Sequence, residues 1–235
     1  MQFSRSLTLS SAFAGVLAVG TVARAASITT SATAPGSNIL TSQLTDLGPG
    51  VQDGARDYTD NGGPPGQTFT VPAAALLNAV TVLGNGDAGT YAPGTFDIQV
   101  GRVNTATGQI TQLARESAPA SGATSDRQFL TFTLATPVAV VPGTTYSFSV
   151  LGSNDWYGFA HGTGDDYASG QAFNNDLTTT SAGNADPRRA FNGFVSPNPA
   201  GYDYVFAVQG VVPEPTAGSL ICVGGLGLLA RRRRA

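Results

Sequence analysis

The sequence predicts an all-β protein in which two antiparallel sheets pack face to face as a jelly-roll-like sandwich. Several segments alternate apolar and polar residues with period two, which places one apolar face of each strand inward. Pro-Gly and Gly-Asn-Gly-Asp steps between these segments suit turns, because proline fixes φ and glycine tolerates positive φ. Short strands separated by turns every roughly 8–15 residues are typical of two-sheet β folds.

The strands follow from these patterns in chain order. The clearest alternations lie at 96–100, 146–150 and 202–208, and further strands are expected at 67–71, 79–83, 109–114 and 129–134. The only helical pattern covers 73–78, and Pro137-Val138 indicates a turn. Residues 26–66 are rich in Ser, Thr, Gly and Pro, which predicts an edge strand followed by a long loop at 48–66. The segment Val141-Pro-Gly-Thr-Thr-Tyr146 resembles the approach to a central strand in jelly-roll and fibronectin-like modules of exported bacterial proteins.

Residues 213–235 form a separate segment with three parts. Pro213 and Pro215, which flank Glu214, cannot continue a sheet ladder, since proline lacks the backbone donor. An apolar stretch at 217–230 follows, about 21 Å long as a helix against roughly 30 Å for a bilayer core. The basic cluster after it, Arg231, Arg232, Arg233 and Arg234, favours the cytoplasmic side of a membrane.

This order of parts resembles the PEP-CTERM sorting signal of exported bacterial proteins. The resemblance implies transient membrane anchoring, recognition of Pro213, Glu214 and Pro215 by an exosortase, and delivery to the cell surface or extracellular matrix. An ordinary membrane anchor preceded by a proline-rich linker is the alternative.

The first 25 residues have the form of a signal peptide. Arg5 precedes a largely apolar stretch at 7–22, and Ala23-Arg24-Ala25 has the small-x-small form that signal peptidase cleaves. These features predict three regions: a signal peptide at 1–25, an exported domain at 26–212 with a loop-rich part at 26–66, and the sorting segment at 213–235.

Charge and cysteine content limit what the exported domain can bind. The only cysteine, Cys222, lies in the sorting segment, so the domain at 26–212 has no disulfide or thiolate. That domain carries fourteen acidic residues and six arginines, a net charge of about −8. Such a charge repels phosphate backbones, so nucleic acid is excluded as a partner and neutral glycans, divalent cations or surface proteins are favoured.

The residue inventory argues against an enzyme. His161 is the only histidine and the chain has no lysine, so Cys-His and Ser-Lys mechanisms are excluded and a Ser-His-Asp triad would depend on that one imidazole. Glu116 is the only glutamate in the domain, and its position after Arg115 indicates a surface location. No cofactor is expected.

The segment 153–167 is the candidate binding site. Asp155, Trp156 and Tyr157, followed by Asp165 and Asp166, combine flat aromatic faces with hydrogen-bonding and acidic groups, which suits a sugar or a calcium ion. In the alternative reading Trp156 and Phe159 belong to the core and the two aspartates cap a turn. A second acidic loop, with Asp53, Asp57 and Asp60 beside Tyr58 and Asn61, is equally open between a cation site and a solvated loop.

Three functions remain open. The first is a non-catalytic structural or adhesion protein of the bacterial surface or extracellular matrix, processed by signal peptidase and an exosortase. The second is a carbohydrate-binding module for extracellular polysaccharide, with or without calcium. The third and weakest is a hydrolase that uses His161.

Overall fold

The structure is a computed structural model that describes residues 25–45, 52–53, 65–84, 95–119, 127–152, 159–162, 164–174, 196–197 and 203–213. The predicted signal peptide up to Arg24, with Ala23, and the sorting segment from Glu214 onward lie outside the described residues. Ala25 and Pro213 lie within them, and both are exposed.

Thirteen strands make up the described secondary structure. In chain order they are β1 (Ser27–Ser31), β2 (Ile39–Gln43), β3 (Gln52–Asp53), β4 (Pro65–Phe69), β5 (Ala75–Leu83), β6 (Thr95–Val103), β7 (Ile110–Pro119), β8 (Phe129–Val140), β9 (Tyr146–Gly152), β10 (Phe159–Ala160), β11 (Ala172–Asn174), β12 (Ser196–Pro197) and β13 (Phe206–Val211). No helix occurs among the described residues. The all-β prediction is confirmed for this part of the chain.

The strands form two large antiparallel sheets and one small pair. The five-stranded sheet has the order β1-β8-β5-β13-β2, and the six-stranded sheet has the order β12-β11-β4-β9-β6-β7. β10 pairs with β3. Sequence neighbours such as β4 and β5 belong to different large sheets, so the chain crosses repeatedly from one sheet to the other.

One hydrophobic cluster contains residues from both large sheets. Phe132 of the five-stranded sheet meets Phe96 of the six-stranded sheet edge to face, with ring centroids 5.9 Å apart. Phe206 and Phe148 make a second contact between the sheets at 5.6 Å. Burying a large apolar side chain contributes about 1.5–3 kcal/mol, so these aromatic residues are a main source of stability in a domain without cysteine.

The helix expected at 73–78 is absent, because most of that segment belongs to β5. Leu76 is exposed and Leu77 is buried, which is the alternation of a strand. β5 pairs with β8 on one side and β13 on the other. Hydrogen bonding and packing on two sides outweigh the helical preference of Ala and Leu.

The turn expected at Pro137-Val138 is also absent, because β8 runs through both residues. Thr133 pairs with Ala79 and Val138 with Leu77, so residues 134–137 bulge opposite Asn78 alone. A proline fits in a strand where no ladder bond is required of its nitrogen, and a bulge provides such a position.

The loop-rich part at 26–66 contains more strand than expected. β1 and β2 lie at opposite edges of the five-stranded sheet, where only one edge strand was predicted. The expected loop at 48–66 also contains β3 and the first two residues of β4. Polar and small residues are compatible with β1 and β2 because one side of an edge strand faces solvent.

Candidate functional site

The predicted binding segment 153–167 is described at 159–162 and 164–167. Asp155, Trp156 and Tyr157 lie outside the described residues. Asp165 and Asp166 are exposed, whereas Phe159, His161 and Tyr167 are buried. Phe159 belongs to the main core and meets Tyr204 edge to face, with ring centroids 6.0 Å apart. This agrees with the alternative interpretation in which Phe159 is a core residue and not part of a binding site.

A buried carboxylate, Asp203, lies at the centre of this region and was not singled out from the sequence. Its Oδ1 accepts a hydrogen bond from Gln67 Nε2 at 2.6 Å, and its Oδ2 accepts one from the backbone N–H of Tyr167 at 2.8 Å. The Gln67 side chain in turn accepts the backbone N–H of Tyr204 at 3.1 Å. One carboxylate and one amide therefore join β4, the 164–167 segment and the approach to β13.

Burial raises the pKa of Asp203, and the negative charges of Asp165 and Asp166 raise it further. The hydrogen bonds from Gln67 and Tyr167 act in the opposite direction, because they stabilise the ionised form. Desolvation is the largest cause, so the net effect is a pKa above the ordinary value for an aspartate. The predicted acidic pair thus lies close enough to Asp203 to affect its ionisation.

His161 has a local structural role. Its Nδ1 lies 2.7 Å from the carbonyl oxygen of Gly162, which indicates that this ring nitrogen carries the proton and donates. His161 also forms a β-bridge with Tyr204, and the backbone N–H of Gly162 donates to the carbonyl of Asp203 at 2.9 Å. These bonds hold the 159–162 segment against the chain that leads into β13.

The hydrogen bonds of Asp203 and Gln67, called the latch below, hold three segments together: β4, residues 164–167 and the approach to β13. Each oxygen of Asp203 accepts a hydrogen bond from a protein donor. Among the described residues no group of three or more His, Cys, Asp or Glu side chains has an arrangement that could hold a metal ion. Of the second acidic loop, only the backbone of Asp53, in β3, is described, and Asp57, Tyr58, Asp60 and Asn61 lie outside.

The latch was not predicted from the sequence, although the inward-facing position of Gln67 could have been. Gln67 shares its strand phase with buried Phe69, which places an amide on an inward-facing position. Asp203 was hidden because the alternation at 202–208 suggested a strand with Asp203 facing solvent. The strand β13 begins only at Phe206, and the bonds before it bury Asp203.

Glu116 is half-buried and joins β7 to β8. Its carboxylate accepts the backbone N–H of Ala135 at 2.5 Å and that of Thr136 at 3.2 Å. Both donors belong to the bulge that contains Pro137, where the ladder cannot use them. Glu116 thus lies at the surface only in part, because its carboxylate packs on the bulge and bonds to N–H groups that the ladder leaves unpaired.

A pocket of about 490 Å³ lies at one end of the six-stranded sheet. One wall is the turn between β6 and β7, with Thr105, Thr107 and Gly108, and the other is the turn that precedes β11, with Ser169. Thr145 also lines it. This pocket was not predicted from the sequence, since its hydroxyl-bearing residues are far apart in the chain and such residues are common throughout it.

A scan against protein-family models gives no match, and searches of curated proteins and of solved structures also find none. None of the residues that the structure describes belong to a helix long and apolar enough to cross a membrane.

Proposed function

We propose that this chain is an exported structural or adhesion protein of a bacterial surface or extracellular matrix, sorted by its C-terminal segment. The observation that carries the proposal is the order Pro213-Glu214-Pro215, apolar stretch 217–230 and Arg231–Arg234. The small-x-small sequence at Ala23–Ala25 supports export independently. In this proposal signal peptidase acts near Ala25 and an exosortase near Pro213.

The geometry around Pro213 supports this processing. β13 ends at Val211, and Val211 and Val212 are 52% and 51% exposed. Pro213 is exposed as well. A processing enzyme needs its recognition sequence outside the folded core, and Pro213 lies two residues beyond the end of β13, the last strand that the structure describes.

The cargo in this proposal is a β-sandwich of jelly-roll-like form. Support comes from two antiparallel sheets whose aromatic residues share one cluster and from a chain that alternates between the sheets. Such a fold presents wide sheet faces and turn regions, on which binding surfaces commonly lie.

A non-catalytic role is supported by three of the described carboxylates, which do not include the exposed Asp165 and Asp166. Asp203 and Glu116 accept backbone or amide hydrogen bonds, and Asp97 pairs with Arg115 at 2.8 Å. Asp97 also accepts a hydrogen bond from Ser117. General acid–base catalysis requires a carboxylate directed at a substrate position, and these three are directed at the protein itself.

Fractionation of cells that carry the matching exosortase tests the sorting. The wild-type protein is expected at the surface or in the medium, shortened at both ends by mass spectrometry. The variant P213A/E214A/P215A is expected to stay in the membrane fraction with the arginine cluster retained. A matched control is T29A/T30A/S31A, which changes three exposed residues of β1 and should be sorted normally. Equal release and equal processing of the motif variant would overturn the proposal.

Carbohydrate binding is the second candidate function, and the 490 Å³ pocket favours it. The segment with Asp155, Trp156, Tyr157, Asp165 and Asp166 remains an alternative location for such a site, with or without calcium. The two locations lie on different parts of the sequence and can be separated by mutation.

A further inference from the structure

We propose that the pocket between the β6–β7 turn and the turn before β11 binds a neutral glycan through hydroxyl and amide groups. This inference names a ligand class for the adhesive role proposed above. It rests on that role only in assuming that the protein meets its ligand at a cell surface or in an extracellular matrix. Binding itself can be tested without any sorting step.

The size of the pocket suits a small polar ligand. Its volume of about 490 Å³ lies within the roughly 300–1,000 Å³ typical of small-molecule sites, which is room for roughly one or two sugar rings. Its side chains are threonines, a serine, a glutamine and Val103, together with two glycines. The valine supplies an apolar patch against which the C–H face of a sugar ring can pack.

Three hydroxyls in the pocket are available to a ligand. Within the described part of the chain, the side chains of Thr105, Thr145 and Ser169 form no hydrogen bond to the protein. Each hydroxyl can donate one hydrogen bond and accept two, which matches the hydroxyl groups of a sugar. Gln171 adds an amide that donates and accepts, and its backbone is already fixed by Thr68.

The wall formed by the β6–β7 turn is held rigidly. The side-chain Oδ1 of Asn104 accepts the backbone N–H of Ala106 at 3.0 Å, and the backbone oxygen of Asn104 accepts the N–H of Gly108 at 2.8 Å. Gly108 has φ of 73°, a conformation that glycine adopts without strain. The backbone of Thr105 and Thr107 is therefore held in a defined turn before a ligand arrives.

The opposite wall is equally constrained. The backbone N–H of Gln171 donates to Thr68 Oγ1 at 2.8 Å, and the N–H of Thr68 donates to the carbonyl of Gln171 at 2.9 Å. Gly170 packs so closely that an added Cβ would lie 1.9 Å from the carbonyl oxygen of Thr68. Preorganised walls lower the ordering cost of binding, which matters for a ligand that offers little apolar area.

The lack of charged side chains in the pocket indicates which class of ligand it can bind. No residue that lines it is ionisable, although the domain at 26–212 has a net charge of about −8. A divalent cation would find no carboxylate there, and an anionic ligand would be repelled by the domain as a whole. A neutral, hydroxyl-rich ligand matches both conditions. With one apolar side chain in the site, we expect a dissociation constant on the order of 1 mM for a short oligosaccharide.

Saturation-transfer difference NMR on the full chain in detergent tests this proposal. The probes are neutral trisaccharides of glucose, galactose and N-acetylglucosamine, with a trisaccharide of galacturonic acid as the charged comparison. Wild-type protein is expected to bind at least one neutral probe and to bind the acidic one more weakly.

The variant T105V/T145V/S169A removes the three available hydroxyls while nearly preserving side-chain volume. Each lost hydrogen bond should weaken binding about fivefold, so the triple variant should bind on the order of 100-fold more weakly. Thr29→Val, on the exposed edge strand β1, is the matched control and should bind as the wild type does. Thermal unfolding of each variant verifies that the fold is retained.

Two results would overturn the proposal: no binding of any neutral probe, or binding that survives in the triple variant. Neutral-glycan binding abolished by Trp156→Ala but kept in the triple variant would place the site in the 153–167 segment instead. Loss of sorting in the P213A/E214A/P215A variant has no bearing on these results, so the two proposals fail separately.

Discussion

Removing the Glu116 carboxylate should destabilise the domain more than removing any exposed ion pair. Glu116 accepts two backbone N–H groups from the β8 bulge, those of Ala135 and Thr136. A hydrogen bond to a charged group contributes about 1.5–3 kcal/mol. The N–H of Thr136 is exposed and can bond to water once the carboxylate is gone, so most of the loss comes from Ala135. We expect Glu116→Ala to lower the free energy of unfolding by about 2–3 kcal/mol.

The intermediate variant sharpens this test. Glu116→Gln keeps one acceptor oxygen but turns an amide donor toward the second N–H, so we expect a loss of about 1–2 kcal/mol. Asp97→Asn is the matched control, because Asp97 makes an exposed ion pair with Arg115 and such pairs contribute about 0–1 kcal/mol.

Urea unfolding followed by tryptophan fluorescence and circular dichroism measures these differences. The slope m should stay constant across the variants, since they expose similar surface on unfolding. The melting temperature of Glu116→Ala should fall by about 4–12 °C, using 2–4 °C per kcal/mol for a domain of this size. If Glu116→Ala is no less stable than Asp97→Asn, the carboxylate does not hold the bulge and the account of Pro137 in β8 is wrong.

Two further outcomes follow from the buried sites. The raised pKa of Asp203 means that the folded state holds this proton more tightly than the unfolded state, so its contribution to stability is greatest below about pH 3.8 and is lost as pH rises toward the folded pKa. The difference in unfolding free energy between wild type and Asp203→Asn, measured from pH 3 to 7, should change across that window, and a flat difference would contradict the raised pKa. Gly170→Ala should cost at least 2 kcal/mol because the new Cβ would meet the Thr68 carbonyl at 1.9 Å, whereas Gly36→Ala, with open space around it, should stay within about 0.5 kcal/mol of wild type in the same denaturant assay.

Strands were predictable from the sequence where apolar and polar residues alternate within one short segment. The segments at 96–100 and 146–150 correspond to β6 and β9, because each places apolar side chains on the core face at every second residue. The errors at 73–78 and Pro137 share one cause. Residues 75–78 take their conformation from pairing with β8 and β13, and the bulge around Pro137 is bonded by Glu116; these contacts are distant in sequence.

The candidate sites were less predictable for the same reason. Asp165 and Asp166 were identified from the sequence, but their neighbour Asp203 lies 37 residues beyond Asp166 and was not connected with them. The pocket hydroxyls of Thr105, Thr145 and Ser169 come from three separate turns. A single sequence shows that many hydroxyl groups exist, but only the fold brings these three together.

Two described carboxylates are bonded to the protein, whereas the pocket is lined by neutral groups. Glu116 and Asp203 each accept two hydrogen bonds from the protein. The groups that remain available to a ligand in the pocket are neutral hydroxyls, which ionise far above neutral pH and therefore exchange hydrogen bonds rather than protons. A surface of this kind discriminates by the placement of donors and acceptors, and its strength grows when many copies meet a repetitive polymer. In the two proposals, weak affinity at a single site is combined with the display of many copies at a cell surface, and this combination connects the proposed glycan pocket with the proposed sorting of the chain.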